Sequence, residues 1–446
     1  MAVTASKNST AILSQTAILW FFLPLAASWL LMALESPATT VFVARLPESD
    51  VSLAAINLFM TISFWIEAPV IGLLPTATAL ALNKQHLLVL RSFVTKIMIL
   101  VTLVGIVVAF TPLYDFITIR LLKSPFEVAD AGRLGLIIMI PWSAAIAWRR
   151  FKQGVLIRYG YTSPIGKGTV VRLLSIVVVA GMLYSTKQFS GAVVAAFALV
   201  SGVIAEACYV HWVARPVIHS ILVREDADNE EDKPPPLDMR SLLKFHIPLS
   251  FSVVFWLLAR PIFFRGLAVG ANPVVSLAAW EILMQLMFFF RAPGMALPEA
   301  IIALQKNSLT ERALKTFCFS VGIVSSALLL VLLVPFLSDW VIREGLGVTP
   351  HVGEIVSRAL PLAVAIPLIS AMQSFYKGQL SAVRRTITLM ISMGIYVGSI
   401  FVLTVIAVFA GIMNVYTATW IYTLSVALEL GYLVWSWKKY KEKVVV

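Results

Sequence analysis

Val51-Ser52-Leu53-Ala54-Ala55 returns as Val275-Ser276-Leu277-Ala278-Ala279, 224 residues further along the chain. The same offset superposes the surroundings without a gap. Glu67-Ala68-Pro69 meets Arg291-Ala292-Pro293, Phe21-x-x-Pro24-Leu25 meets Phe245-x-x-Pro248-Leu249, and Pro37 meets Pro261. Further on, Phe151, Gly154 and Leu156 face Phe375, Gly378 and Leu380. Apolar segments resemble one another by composition alone, but prolines held in register at one constant spacing mark an internal duplication.

Composition says what was duplicated. Of 446 residues, 59% are hydrophobic and 13% charged, against about 25% charged in a soluble domain. Apolar runs of roughly 20 residues, enough to cross a hydrocarbon layer, recur from end to end. We read twelve of them, from 14–44 to 414–437. The first is too long and wrongly flanked for a signal peptide and is expected to remain as a span. The fold class is therefore all-α integral membrane, with about twelve transmembrane helices in two six-helix repeats.

A formal charge of +12 does not point to nucleic acid, because the basic residues sit in short clusters between apolar runs. Lys84, Arg91 and Lys96 form one cluster, Arg149 to Arg172 another, then Lys306 to Lys315, Lys377 to Arg385 and Lys438 to Lys443. They alternate with basic-poor connections, so the positive-inside rule places both termini in the cytoplasm of a multi-pass cell-membrane protein. Six spans per repeat return the chain to its starting side. The repeats are then parallel, related by an axis along the membrane normal, with a cleft between them and alternating access as the expected working principle. The domains read as 1–223, a six-helix lobe; 224–240, an acidic, proline-rich linker; and 241–446, a second lobe.

Charges inside spans narrow the function. Glu67 and its repeat mate Arg291 lie mid-span, where an ionised group costs about 2.5–3.5 kcal/mol and needs a partner or water. Equal depth lets them confront one another between the halves. Glu35 and Arg260 form a near-equivalent pair on the first helix of each repeat. Each of the four precedes a proline by one or two residues, and a proline frees a backbone carbonyl that only protein or cleft water satisfies in lipid. We take Arg260, Arg291, Glu35 and Glu67 as the candidate substrate site, the competing reading being static interhelical ion pairs. Glu206, Glu281, Glu299 and Glu429 are off-centre, and Gln373 fits interhelical hydrogen bonding.

Chemistry of other kinds lacks its residues. Gly160 to Gly168 has the wrong spacing for a phosphate loop, the five histidines show no metal-ligand spacing, and no nucleophile elbow occurs. Cys208 and Cys318 sit in apolar segments without partners. We expect no enzyme activity, no metal and no cofactor, with H+ or Na+ as a coupling ion.

Phe151-x-x-Gly154-Val-Leu156-Ile-Arg158-Tyr-Gly160-Tyr-Thr162-Ser-Pro164 resembles the pattern after the fourth helix in the superfamily of MATE multidrug exporters and polysaccharide flippases. Gly378-Gln-Leu380 with Arg384-Arg385-Thr386 is its decayed copy, lacking the second glycine and the proline. Within that MOP superfamily the chain is most similar to the progressive ankylosis (ANK) family, on Ala147-Trp148 before Gly154, Arg260-Pro261-Ile262, Gly347-Val348 with Glu354, and Gly378 with Thr386. The resemblance implies two six-helix lobes around a V-shaped central cleft, and export of small organic or phosphate-bearing anions of the citrate, pyrophosphate or nucleotide class. Its partners are then the lipid bilayer and a small anionic substrate. A lipid-linked glycan flippase, a cation-coupled multidrug exporter and a non-transporting scaffold are the other readings, since one fold hosts many functions.

Overall fold

The computed structural model describes residues 13–122, 124–223, 234–270, 272–345 and 349–445. Among them no strand occurs, and nineteen α-helices follow one another. The first ten are α1 (Gln15–Met32), α2 (Glu35–Val43), α3 (Ser49–Ile71), α4 (Leu73–Leu80), α5 (Lys84–Phe110), α6 (Leu113–Asp115), α7 (Phe126–Ile138), α8 (Ile140–Arg158), α9 (Ser163–Thr186) and α10 (Gly191–Val223). Then come α11 (Met239–Ala268), α12 (Pro273–Met295), α13 (Leu297–Leu304), α14 (Ser308–Leu332), α15 (Pro335–Asp339), α16 (Pro350–Ala363), α17 (Ile366–Ala382), α18 (Thr386–Phe409) and α19 (Val415–Val445).

The duplication read from two spans extends over the whole described chain. Helices α3 and α4 reproduce α12 and α13 at the same offset to the residue. Asn83 caps α5 by accepting from the His86 amide at 2.9 Å, and its mate Asn307 caps α14 by accepting from Thr310 at 2.9 Å. The π-helical turn Phe116–Leu121 matches Trp340–Gly345. Left-handed residues come in mates as well: Glu48 with Asn272 (φ 52° and 53°), Gly160 with Arg384 (85° and 60°), Lys187 with Gly411 (52° and 68°). A conformation that disfavours side chains is retained by both copies because the turn geometry, not the residue, is what the fold needs.

The described chain divides into two compact units, Ala27–Ser250 and Phe251–Val446, the second also containing residues 13–26. Equivalent helices α1 and α11 thus change unit at equivalent residues. In the first unit His246 of α11 meets Phe93 edge to face at 5.0 Å and 79°. In the second, their mates Phe22 of α1 and Phe317 meet at 5.2 Å and 79°. Residues 224–233 of the acidic linker lie outside the described residues, as do Gly347 and Val348. The linker's last part is held to α5: Gln85 donates to the Leu237 carbonyl at 2.7 Å, and His86 Nε2 lies 3.0 Å from that of Pro235. Asp238 then accepts from Ser241 at the start of α11, which holds its carboxyl below the usual carboxylate range.

Among the described residues nine segments are long and apolar enough to cross a membrane, among them Gln15–Val43, Ser49–Leu80 and Val275–Leu304, each of which joins two helices. Two more qualify when α7 with α8, bent by 43°, and α16 with α17, bent by 47°, each count as one. Pro141 and Pro367 stand second in the helix after the bend, where a missing N–H costs nothing. Twelve spans are expected from the apolar runs. The remaining helix, α19, has the length, with 31 residues, but Glu429 and its Tyr and Trp residues dilute its apolarity. Outward faces suit lipid: Phe336 is 81% and Phe409 88% exposed.

Close helix contact depends on paired glycines. A Cβ on Gly154 of α8 would stand 2.5 Å from Ala77 Cβ, and one on its mate Gly378 of α17 would stand 2.7 Å from Ile301 Cβ. Ala77 and Ile301 are themselves mates. These glycines let α8 lie on α4 and α17 on α13, which brings the polar side chains of α8 and α17 into each unit's interior.

Candidate functional site

A continuous polar chain crosses the interior of the first unit. Glu206 of α10, fully buried, accepts from Arg149 Nη1 and, at 3.1 Å, from Gln153 Nε2. Arg149 and Gln153 are four residues apart on α8 and so share a face. Arg172 of α9 lies 3.7 Å from Glu206 through Nη1 and pairs through Nη2 with Glu35 of α2. Its guanidinium also lies 5.3 Å from the centre of the Trp142 ring, and the Trp142 indole donates to Glu67 Oε2 at 3.0 Å. Glu35 and Glu67, separate candidates in the sequence, are joined through Arg172 and Trp142. Three carboxylates face two guanidiniums. Glu35 Oε1 and the Nε atoms of Arg149 and Arg172 are buried without a hydrogen bond, so the network is short of partners on both sides.

The second unit repeats the motif with its chemistry exchanged. Glu429 of α19 is 2% exposed and accepts from Gln373 Nε2 at 2.7 Å, while Lys377 Nζ lies 2.7 Å away and Ser392 donates at 3.3 Å. Gln373 is the mate of Arg149, Lys377 of Gln153, and Tyr396 of Arg172. The cation and the amide have swapped places one helical turn apart, and the carboxylate is kept. Its mate position is Ala205, so the carboxylate itself has moved by one residue.

Arg291 of α12 points to α17 and α19. Its Nε donates to Ser370 Oγ at 2.9 Å and its Nη1 to Tyr422 OH. Tyr422 belongs to an aromatic group with Phe263, Trp280 and Tyr396, ring centres 4.6 to 6.3 Å apart. Among the described residues Arg291 has no carboxylate partner. Arg260, in contrast, is exposed and forms a two-pronged bond to Glu281 at 2.9 and 3.0 Å. Each of the four expected site residues therefore has partners inside its own unit: Glu35 and Glu67 in one buried network, Arg291 among hydroxyls and rings, Arg260 in a surface ion pair.

Several polar residues were not anticipated. Arg149, Lys152 and Arg172 belong to a basic cluster that reads as a loop, but α8 runs on to Arg158 and α9 begins at Ser163, so all three are intrahelical and at most 6% exposed. The available signal was the duplication itself: Arg149 and Gln153 occupy the places of Gln373 and Lys377, a swap without meaning in a loop. His246, one of the five histidines without metal-ligand spacing, is buried, donating through Nε2 to the Pro69 carbonyl at 2.8 Å, with Nδ1 2.9 Å from Thr76 Oγ1. No group of three or more His, Cys, Asp or Glu among the described residues is placed to hold a metal ion.

The sequence matches no family model and no curated protein. Solved structures match over nearly its whole length. A MATE in complex with MaL6 aligns with TM-score 0.72 at 14% identity, covering 98% of this chain and 100% of that one. The P26A mutant of a MATE aligns with TM-score 0.74 at 14% identity, covering 99% and 100%. This chain has the MATE fold. A MOP superfamily transporter from Pyrococcus furiosus Vc1 (DSM3638), described as having a binding pocket of reversed polarity, aligns at TM-score 0.72 and 14% identity, covering 97% and 98%. At such identity the likeness shows the fold alone.

Proposed function

We propose that this protein is a secondary transporter that exports small organic or phosphate-bearing anions by alternating access, with both termini in the cytoplasm. One observation carries the substrate class. Arg291 stands mid-span, half-buried, hydrogen-bonded to Ser370 and Tyr422 and to no carboxylate among the described residues. A guanidinium at that depth is costly, and neutral hydroxyls leave its charge unbalanced. A carboxylate or phosphate takes up its remaining donors in the two-pronged geometry that arginine favours. The same charge repels a cationic drug. Resemblance to the ANK family and the whole-length MATE fold support transport, and the Pyrococcus protein's description supports pocket polarity as a variable of this fold.

Glu35 and Glu67 serve the coupling side in this reading. With three carboxylates against two guanidiniums, one proton or Na+ on the first unit's network balances its charge, and taking up or losing that ion alters what Arg172 and Trp142 hold. Arg260 enters by exchanging Glu281 for the substrate's second anionic group.

Flux into proteoliposomes is measured for citrate, pyrophosphate, nucleotides, a cationic dye and a fluorescent lipid. Movement of one or more of the anions, with the dye and lipid excluded, supports the proposal. Movement of the dye alone assigns a cation-coupled drug exporter instead, and movement of the lipid alone assigns a flippase.

A further inference from the structure

Lys152 of α8 is 6% exposed, yet its ammonium has neither a hydrogen bond nor a carboxylate among the described residues. It lies 4.4 Å over the Trp148 ring and 5.3 Å over that of Phe151. The charges that act on it are Arg91 of α5 and Arg215 of α10, both of its own sign. Three cations meet where α8 packs between α5 and α10, and none of them pairs with a carboxylate among the described residues.

Their height is shared. Arg91 follows the start of α5 by two turns, Lys152 precedes the end of α8 by less than two, and Arg215 precedes the end of α10 by just over two. At 1.5 Å per residue each lies roughly 9–12 Å inside its helix end. The α5 and α8 ends share one side, for Tyr159, just after α8, donates to the Leu82 carbonyl just before α5 at 3.1 Å, and α10 is tied to α8 at this height by the contact of His211 with Trp148, each one turn before its cation. That depth suits the boundary between lipid headgroup and acyl chain. The surroundings fit it: Trp212 is 68% and Leu88 49% exposed, an interfacial aromatic and an apolar wall. Trp148 Nε1 donates to His211 Nδ1 at 3.0 Å, which fixes the neutral His211 proton on Nε2 and adds a donor.

We propose that Arg91, Lys152 and Arg215 form a binding site for the headgroup phosphate of an anionic phospholipid on the first unit. Basic pockets between transmembrane helices recognise such headgroups, and a phosphate supplies the counter-charge the cluster lacks. The second unit has no equal site. Lys315 and Lys439 keep the outer cations, but Tyr376 replaces Lys152 and Trp435 replaces His211. The stoichiometry is therefore one lipid per chain.

The test is native mass spectrometry of the full-length protein, delipidated and titrated with phosphatidylglycerol, phosphatidylcholine or inorganic phosphate. Phosphatidylglycerol binds once per chain in preference to phosphatidylcholine, and Lys152→Met weakens it about fivefold, as does each further loss of Arg91 or Arg215. Lys315→Met with Lys439→Met leaves it unchanged. Should Lys152→Met not be recovered folded, Arg91→Gln with Arg215→Gln, both at exposed positions, gives the same reading through an expected loss of about 25-fold. Equal affinity in the parent and these variants overturns the site. Inorganic phosphate that displaces phosphatidylglycerol at equal concentration overturns the lipid assignment.

Discussion

Removing the cation from the first unit's buried carboxylate tests whether the two networks are one motif built twice. In Arg149→Gln, Glu206 keeps Gln153 at 3.1 Å and the more distant Arg172 at 3.7 Å, but loses its direct ion pair. Glu206 is fully buried and Arg149 is 3% exposed, so water does not replace that partner. Breaking such a pair from one side costs 3–5 kcal/mol. Because Arg172 remains, we expect the lower end, about 3 kcal/mol, or about 10 °C in apparent Tm for a unit of this size. Gln153→Lys added to Arg149→Gln reproduces the order found at Gln373 and Lys377, where a lysine one turn along neutralises Glu429. The double variant should regain at least half of the loss. Tryptophan-fluorescence melting in detergent reads both. A single variant as stable as the parent, or a double variant no better than the single, refutes the shared-motif account.

Three other outcomes follow from particular contacts. Arg384 holds φ 60° where the first copy has Gly160, so Arg384→Gly should raise stability by about 1 kcal/mol in the same melting assay, whereas Gly160→Arg should lower it. Gly154→Ala places a methyl 2.5 Å from Ala77 Cβ and 2.8 Å from the Leu74 carbonyl; a loss of about 1–3 kcal/mol is expected, and an unchanged melt means α8 and α4 are less tightly apposed than described. Trp142→Phe removes the 3.0 Å bond to Glu67 while keeping an aromatic ring near Arg172. It should cost about 1.5–3 kcal/mol, and Glu67→Gln in its background should restore part of that, because an amide is cheaper to leave unpaired than a carboxylate.

Much of this fold is legible in the sequence alone. The 224-residue offset found in two pairs of spans recurs in caps, π-helical turns and left-handed residues, because repeated sequence rebuilds the same local backbone. Helix ends were less legible. Arg149 and Arg172 carry the charge that normally marks a loop, and only their burial against Glu206 and Glu35 shows that the helices continue through them. Mid-span cost draws attention to Glu67 and Arg291, but depth along a helix does not reveal direction around it. Glu67 meets α8 at Trp142, and Arg291 meets α17 at Ser370, one turn beyond the equivalent position. Arg260 shows the converse: a charge within a long apolar helix that is exposed beside Glu281.

The account turns on the unbalanced charge of Arg291, and its most direct measurement is the rate of anion uptake into proteoliposomes by the parent, Arg291→Gln and Arg291→Lys proteins at equal reconstitution. Glutamine can place an amide donor where Nε bonds Ser370, and removes the charge together with the Nη1 bond to Tyr422. Losing charge-assisted bonds of about 2–3 kcal/mol should slow uptake at low substrate about 30- to 100-fold, with lysine recovering part of it. Uptake by Arg291→Gln within twofold of the parent, in a protein that melts normally, contradicts the account.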